Sequence, residues 1–77
     1  MPKVTIYTTP SCVYCKLTKE FLQNNNVGYE EKNVATDSAA RDLMIQKSGQ
    51  MGVPVIEVDG KIIIGFDQPR LKEALGF

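Results

Sequence analysis

Histidine and tryptophan are absent from this chain of 77 residues, and cysteine occurs only twice. A closed tetrahedral zinc site needs four nitrogen or sulfur ligands, so thiols and imidazoles from one copy of the chain cannot complete such a site. The sequence also has no excess of either charge, because nine Lys and Arg residues are matched by nine Asp and Glu residues. We therefore expect no surface suited to nucleic acid or to an anionic membrane.

Long apolar runs are missing as well. The longest, at residues 53–56 and 62–64, fall far short of the roughly 18 residues that a membrane span requires. Lys3 is followed at once by a strand-like segment, so we expect no signal peptide. The expected compartment is a reducing cytoplasm, where two nearby cysteines are more often catalytic or metal-binding than structural.

The spacing of apolar residues predicts one domain over residues 1–77, with its elements in the order β-α-β-α-β-β-α. Residues 3–8 alternate in character and are rich in β-branched and aromatic residues, which is typical of a strand that ends near Thr8. Helical spacing predicts an amphipathic helix from Val13 to the Asn-rich segment that follows it. A second strand is expected within residues 27–34.

The second half of the chain contains recognisable caps and turns. Thr36 or Asp37 can cap a second helix, and Gly49 can end it. Residues 59–60 are an Asp-Gly pair between two alternating segments, which predicts a hairpin. Asp67 can cap a short last helix. The predicted fold is α/β, a mixed four-stranded sheet of order 2-1-3-4 with helices on both faces.

Cys12 and Cys15 lie after the first predicted strand, at the first turn of the first predicted helix. Unpaired N–H groups and the helix macrodipole stabilise a thiolate there, and a thiolate is the species that attacks a disulfide. Cys15 lies one turn inside the helix, in one row with Thr18 and Leu22, and is expected to face the core. Cys12 is thus the expected attacking sulfur, and Cys15 the shielded resolving sulfur within its reach.

Two other interpretations of the cysteine pair stay open. Cysteine is among the most buried residue types, so the pair can consist of two small core side chains. The alternative function is a binding or carrier module that holds a metal ion or an iron–sulfur cluster across a dimer. The colour and metal content of the purified protein would distinguish such a module from a thiol enzyme.

Two neighbours of the cysteines are further candidates. Lys16 follows Cys12 by four residues, and a helical side chain leans toward the N-terminus, so the Lys16 ammonium can approach the Cys12 sulfur and stabilise its thiolate. In the other interpretation, Lys16 is a solvated charge beside Lys19. Tyr14 either packs against the loop or fills the exposed dipeptide between the cysteines.

The segments TTPSCVYC and GVPVIEVDGKIIIGFD resemble the glutaredoxins, and more closely the small glutaredoxin-like redoxins of the thioredoxin fold. The resemblance covers essentially the whole chain and implies a monomeric dithiol–disulfide oxidoreductase without a cofactor. It also implies that Pro54 is a cis-proline facing the cysteines. The backbone of Val53 would then pair with an extended thiol-bearing peptide. Gly65 and Phe66 would border the same groove, although Phe66 suits a core position equally well.

Three residues depart from the pattern of glutathione-using glutaredoxins. Those proteins often carry Lys or Arg in place of Thr9, Thr in place of Gly52, and a second glycine in place of Phe66. The Gly-Phe pair resembles redoxins that a thioredoxin-reductase-type flavoenzyme reduces. We therefore expect a flavoprotein reductase, rather than glutathione, as the electron donor. The expected substrates are disulfide-containing proteins, such as a ribonucleotide reductase or a peroxidase.

Overall fold

A computed structural model describes residues 3–76 and contains seven elements in the predicted order. The strands are β1 (Val4–Thr8), β2 (Glu30–Asn33), β3 (Val55–Val58) and β4 (Lys61–Ile64). The helices are α1 (Val13–Asn24), α2 (Ser38–Ser48) and α3 (Gln68–Leu75). Residues 1, 2 and 77 of the expected domain lie outside the described residues. Over residues 3–76, no helix is long and apolar enough to cross a membrane.

The four strands form one mixed sheet in the order β2-β1-β3-β4, which confirms the predicted topology. β1 and β2 are parallel, and α1 supplies the crossover that a parallel pair needs. β3 is antiparallel to both of its neighbours and places Ile56 between Ile6 and Ile63. The β3–β4 turn is formed by Asp59 and Gly60, whose φ angles of 49° and 86° are those of a tight hairpin turn.

Successive residues of each strand point to opposite faces of the sheet, so the strands build two separate cores. α1 and α3 cover one face, and α2 covers the other. The core beneath α1 and α3 contains Val4, Ile6, Leu22, Ile56, Val58, Ile63 and Leu71. The core beneath α2 contains Tyr7, Val34, Ala40, Met44 and Val55. The prediction of helices on both faces is confirmed.

Side-chain caps fix where the later helices begin. Of the two candidates for the cap of α2, Asp37 is the residue used, and its carboxylate accepts the Ala40 N–H at 3.0 Å. Asp67 caps α3 in the same way by accepting the Arg70 N–H at 3.2 Å. Gly49 ends α2 in the left-handed region, with φ of 73°. Each of these caps satisfies backbone groups that the helix itself leaves unpaired.

Leu71 offers a test of how α3 is held on the sheet, because it is the one fully buried residue of that helix. We expect Leu71→Ala to lower the free energy of unfolding by about 2 to 5 kcal/mol, through lost burial and the cavity left behind. Leu43→Ala on α2 is the control, since Leu43 is 38% exposed, and should cost less than about 1 kcal/mol. Urea unfolding followed by circular dichroism measures both. Equal losses would show that Leu71 does not anchor α3.

Candidate active site

Cys12 is the N-cap residue of α1, with extended backbone angles of −86° and 112°. Its sulfur accepts the backbone N–H of Cys15 at 3.1 Å. The Cys12 N–H in turn donates to the Thr9 carbonyl at 3.3 Å and closes the turn that leads from β1 into the helix. A sulfur atom thus takes the place of the usual cap oxygen, at the helix end where negative charge is stabilised.

Cys15 lies one turn further along α1 and is only 1% exposed, whereas Cys12 is half-buried. Burial, followed by the side-chain hydrogen bond between the two sulfurs, raises the pKa of the Cys15 thiol to about 12. A hydrogen bond from the Thr9 backbone and the charge of Lys19 oppose this increase in pKa. The burial of Cys15 confirms the prediction that its row of α1 faces the core.

The segment that enters β3 lies beside Cys12. The Val53–Pro54 peptide bond is cis, as the resemblance implies. The Cys12 thiol donates to the Val53 carbonyl, with 3.7 Å between sulfur and oxygen. The Pro54 carbonyl accepts the Gly65 N–H at 2.8 Å. With Cys15, whose N–H donates to the Cys12 sulfur, five of the predicted site residues are therefore linked by consecutive contacts.

The other three predicted site residues lie apart from this chain of contacts. The Tyr14 side chain is 63% exposed on the first turn of α1. Phe66 packs edge-to-face on Phe21, with 6.0 Å between ring centroids, against the core beneath α1 and α3. Lys16 is exposed, and its ammonium forms no ion pair within the described part of the chain.

The side chain of Gln50, which no sequence pattern indicated, hydrogen-bonds to the backbone of the segment before Val53. The amide oxygen of Gln50 accepts the Gly52 N–H at 2.6 Å, and its amide nitrogen donates to the Gly52 carbonyl at 3.0 Å. A Cβ atom on Gly52 would lie 2.7 Å from that amide oxygen. A larger residue at position 52 would therefore require the Gln50 amide to shift, and this amide is the movable end of a long side chain.

A polar cluster on the Cys15 side of the sheet also went unpredicted. One oxygen of Glu31, Oε2, accepts from the Thr8 hydroxyl at 2.8 Å and from the Lys19 ammonium at 3.0 Å. The Thr8 bond, followed by the Lys19 bond, lowers the pKa of Glu31, while the bond to Glu31 raises that of Lys19. One sequence signal could have indicated this cluster: Lys19 follows Cys15 by four residues on the same predicted helix.

Metal ligands are sparse around the two sulfurs. Across residues 3–76, no group of three or more His, Cys, Asp or Glu side chains is placed to hold a metal ion. Cys12 and Cys15 thus present one accessible and one buried thiol, three residues apart. This arrangement suits the exchange of disulfide bonds, since the second sulfur can reach a bond made at the first.

A family model of glutaredoxins matches residues 4–63. This chain belongs to the glutaredoxin family. The glutaredoxin-like 8.6 kDa protein in the rubredoxin operon of Clostridium pasteurianum is 43% identical over 72 residues, which cover 94% of this chain and 96% of that protein. Glutaredoxin 3 of Escherichia coli K12 is 36% identical over 76 residues, which cover 99% of this chain and 92% of that protein.

Solved structures share the fold of this glutaredoxin. The thioredoxin-like protein BC3987 has a TM-score of 0.88 and 38% identity, with 94% of this chain and 99% of that chain covered. The NrdH-redoxin of Escherichia coli, a glutaredoxin-like protein with a thioredoxin-like activity profile, has a TM-score of 0.83 and 27% identity, with 92% of both chains covered. This glutaredoxin-like redox protein therefore has the thioredoxin fold.

The two thiols of this glutaredoxin should differ sharply in their reaction with iodoacetamide. We expect Cys12 to be alkylated more than about tenfold faster than Cys15 near neutral pH, because only the thiolate reacts and burial disfavours the Cys15 thiolate. Mass spectrometry of the Cys15→Ser and Cys12→Ser variants measures each rate separately, and the urea-unfolded variants provide the control. Similar alkylation rates in the two folded variants would contradict the prediction that Cys12 is much more reactive than Cys15.

Proposed function

We propose that this glutaredoxin is a dithiol–disulfide oxidoreductase in which Cys12 attacks the substrate and Cys15 resolves the intermediate. The unequal placement of the two sulfurs carries the proposal. The Cys12 sulfur is half-buried at the N-terminus of α1 and accepts the Cys15 N–H, whereas the Cys15 side chain is enclosed one turn further on. An attacking thiolate needs access and stabilisation, while a resolving thiol needs only to reach the first sulfur.

The reaction consists of two exchanges of sulfur–sulfur bonds. The Cys12 thiolate attacks one sulfur of the substrate disulfide, and the other substrate sulfur leaves as a thiolate and takes up a proton. Cys15 then loses its proton and attacks Cys12 Sγ, so the Cys12–Cys15 bond forms and the mixed disulfide breaks. The substrate leaves with two thiols, having gained two electrons from the protein. An external reductant must reopen the Cys12–Cys15 bond.

Val53 and Pro54 support the proposal that the substrate binds as an extended segment beside Cys12. The Val53 carbonyl, which accepts the Cys12 thiol proton in the reduced protein, becomes available once the Cys12 sulfur has lost that proton. A peptide N–H of the substrate can then donate to it. The bonds of Gln50 to Gly52 hold the preceding residue and so limit the movement of Val53.

The electron donor in this proposal is a thioredoxin-reductase-type flavoenzyme. Glutathione is a small anion with two carboxylates, so its site needs fixed cations and backbone donors to offset the lost hydration. Thr9 supplies a hydroxyl where a cation would be expected. Val13 and Tyr14 are 68% and 63% exposed beside the cysteines and offer apolar area to a protein partner. The likeness to NrdH-redoxin supports the same donor class.

Trapping of the intermediate tests the roles of the cysteines. We expect Cys15→Ser to accumulate a mixed disulfide with a disulfide-bonded peptide, because Cys12 still attacks and no resolving thiol follows. Cys12→Ser should form no adduct, and the unmodified protein, as control, should release the reduced peptide. Mass spectrometry under non-reducing conditions detects the adduct. An adduct formed by Cys12→Ser and not by Cys15→Ser would reverse the assignment.

Coupled assays of NADPH consumption test the electron donor. At matched protein concentration we expect faster turnover with a thioredoxin-reductase-type flavoenzyme than with glutathione and glutathione reductase. Thr9→Lys should raise the glutathione-driven rate by about two- to fivefold. This change corresponds to the free energy that one exposed ion pair contributes. Asn24→Lys is the matched control, because it adds the same charge at the opposite end of α1. Efficient glutathione-driven turnover by the unmodified protein would argue against the flavoenzyme.

A further inference from the structure

The resolving step faces a specific obstacle in this protein. Cys15 must lose its proton before it can attack, yet its side chain is only 1% exposed, and burial is the main reason for the raised pKa of its thiol. Water cannot solvate a thiolate at such a position. A group inside the protein must therefore supply the stabilisation that solvent would give to an exposed sulfur.

Lys19 is placed to supply it. It follows Cys15 by four residues on α1, and helical side chains lean toward the N-terminus over the preceding turn, where Cys15 lies. The Lys19 ammonium does not extend freely into solvent, because Glu31 Oε2 on β2 accepts from it at 3.0 Å. The same oxygen accepts from the hydroxyl of Thr8, which is 2% exposed at the end of β1.

We propose that Lys19, held by Glu31, to which Thr8 in turn donates, is a positioning residue that stabilises the Cys15 thiolate in the resolving step. This inference rests on the proposed function and adds a residue to it. Lys19 transfers no proton in this step. The Cys15 proton passes to solvent, the Cys15 sulfur bonds to Cys12 Sγ, and the substrate sulfur leaves as a thiolate that takes up a proton from solvent.

The groups that act on Cys15 change when the mixed disulfide forms. In the reduced protein, Cys12 raises the pKa of Cys15 both by its hydrogen bond and by its charge, while the Thr9 backbone and Lys19 lower that pKa. A Cys12 sulfur bonded to substrate carries no charge, so its opposition is removed. The Thr9 backbone and Lys19 remain, with Glu31 acting through its hold on Lys19. In the species that reacts, the Thr9 backbone and the Lys19 charge thus still favour the Cys15 thiolate, while the opposing contributions of Cys12 are gone.

A second ion pair provides a matched control. Lys47 on α2 pairs with Glu57 on β3 at 2.7 Å, and the Lys47 side chain is 35% exposed against 31% for Lys19. Glu57 lies on the face of the sheet covered by α2, away from the cysteines. Lys47→Met thus removes a similar ion pair between a helix and a strand without touching the site.

Single-turnover kinetics with dithiobis-nitrobenzoate at equimolar concentration separate the two steps, because attack and closure each release one thionitrobenzoate. A rise of one unit in the pKa of Cys15 should slow closure near neutral pH by about three- to fourfold, since the tenfold loss of thiolate is partly offset by higher nucleophilicity. Lys19→Met should therefore slow closure in proportion to the rise that it causes in this pKa, and leave the attack phase unchanged.

Two further variants and one titration decide between this role and a purely structural one. Lys19→Arg should restore closure, whereas Lys47→Met should alter neither phase, with folding of each variant verified by circular dichroism. In a Cys12→Ser background, thiolate absorbance should show a higher pKa of Cys15 when Lys19→Met is added. Unchanged closure in Lys19→Met, or equal slowing in Lys47→Met, would overturn the inference. A wild type without any closure phase would instead reject the proposed function, and the Cys15 titration would still decide the role of Lys19.

Discussion

The hydrogen bond from the Cys15 N–H to Cys12 Sγ is the interaction on which the site depends. It makes a sulfur atom the cap of α1, so the position of that sulfur is set by the helix and not by a mobile loop. The helix is in turn fixed by Leu22, which is fully buried in the core beneath α1 and α3. Both the exposure of Cys12 and the burial of Cys15 therefore follow from the position at which α1 begins.

The topology of the sheet explains why Val53 lies opposite Cys12. β1 and β3 are antiparallel neighbours, with Tyr7 paired to Val55. The C-terminal end of β1 therefore lies next to the N-terminal end of β3. The chain that leaves β1 leads to Cys12, and the chain that enters β3 leads through Val53 and the buried Pro54. Residues separated by 41 positions in sequence are thereby brought together without any dedicated loop.

The structural details that the sequence predicted most directly are those that depend on residues a few positions apart in the chain. The cap at Asp67 and the turn at Asp59 depend on residues within three or four positions, and so does the helical row that buries Cys15. The bond between Thr8 and Glu31 spans 23 positions and exists only because β1 and β2 pair in parallel. Neither the sequence distance nor the residue types reveal such a contact before the strand register is known.

Phe66 and Gly52 show a second limit of sequence patterns. The aromatic residue after β4 suited a groove and a core position equally well, and the outcome depended on where Phe21 of α1 would stand. Glycine before Val53 could be recognised as a departure from the family, but the two hydrogen bonds between its backbone and the Gln50 amide could not. For Phe66 the deciding neighbour belongs to a distant element, whereas Gln50 is two residues from Gly52, yet no local motif gives the conformation of its side chain.

Burial acts unequally on the three forms that the Cys15 sulfur takes in the proposed reaction, which are the thiol, the thiolate and the disulfide. A neutral thiol or a disulfide sulfur loses little when it is enclosed by apolar groups, whereas a thiolate loses its hydration. The ionised form is thus a short-lived species between two states that burial tolerates. Its free energy is set by the few polar groups nearby, so a single ammonium held at a fixed place has more influence on the Cys15 step than on the attack by the accessible Cys12.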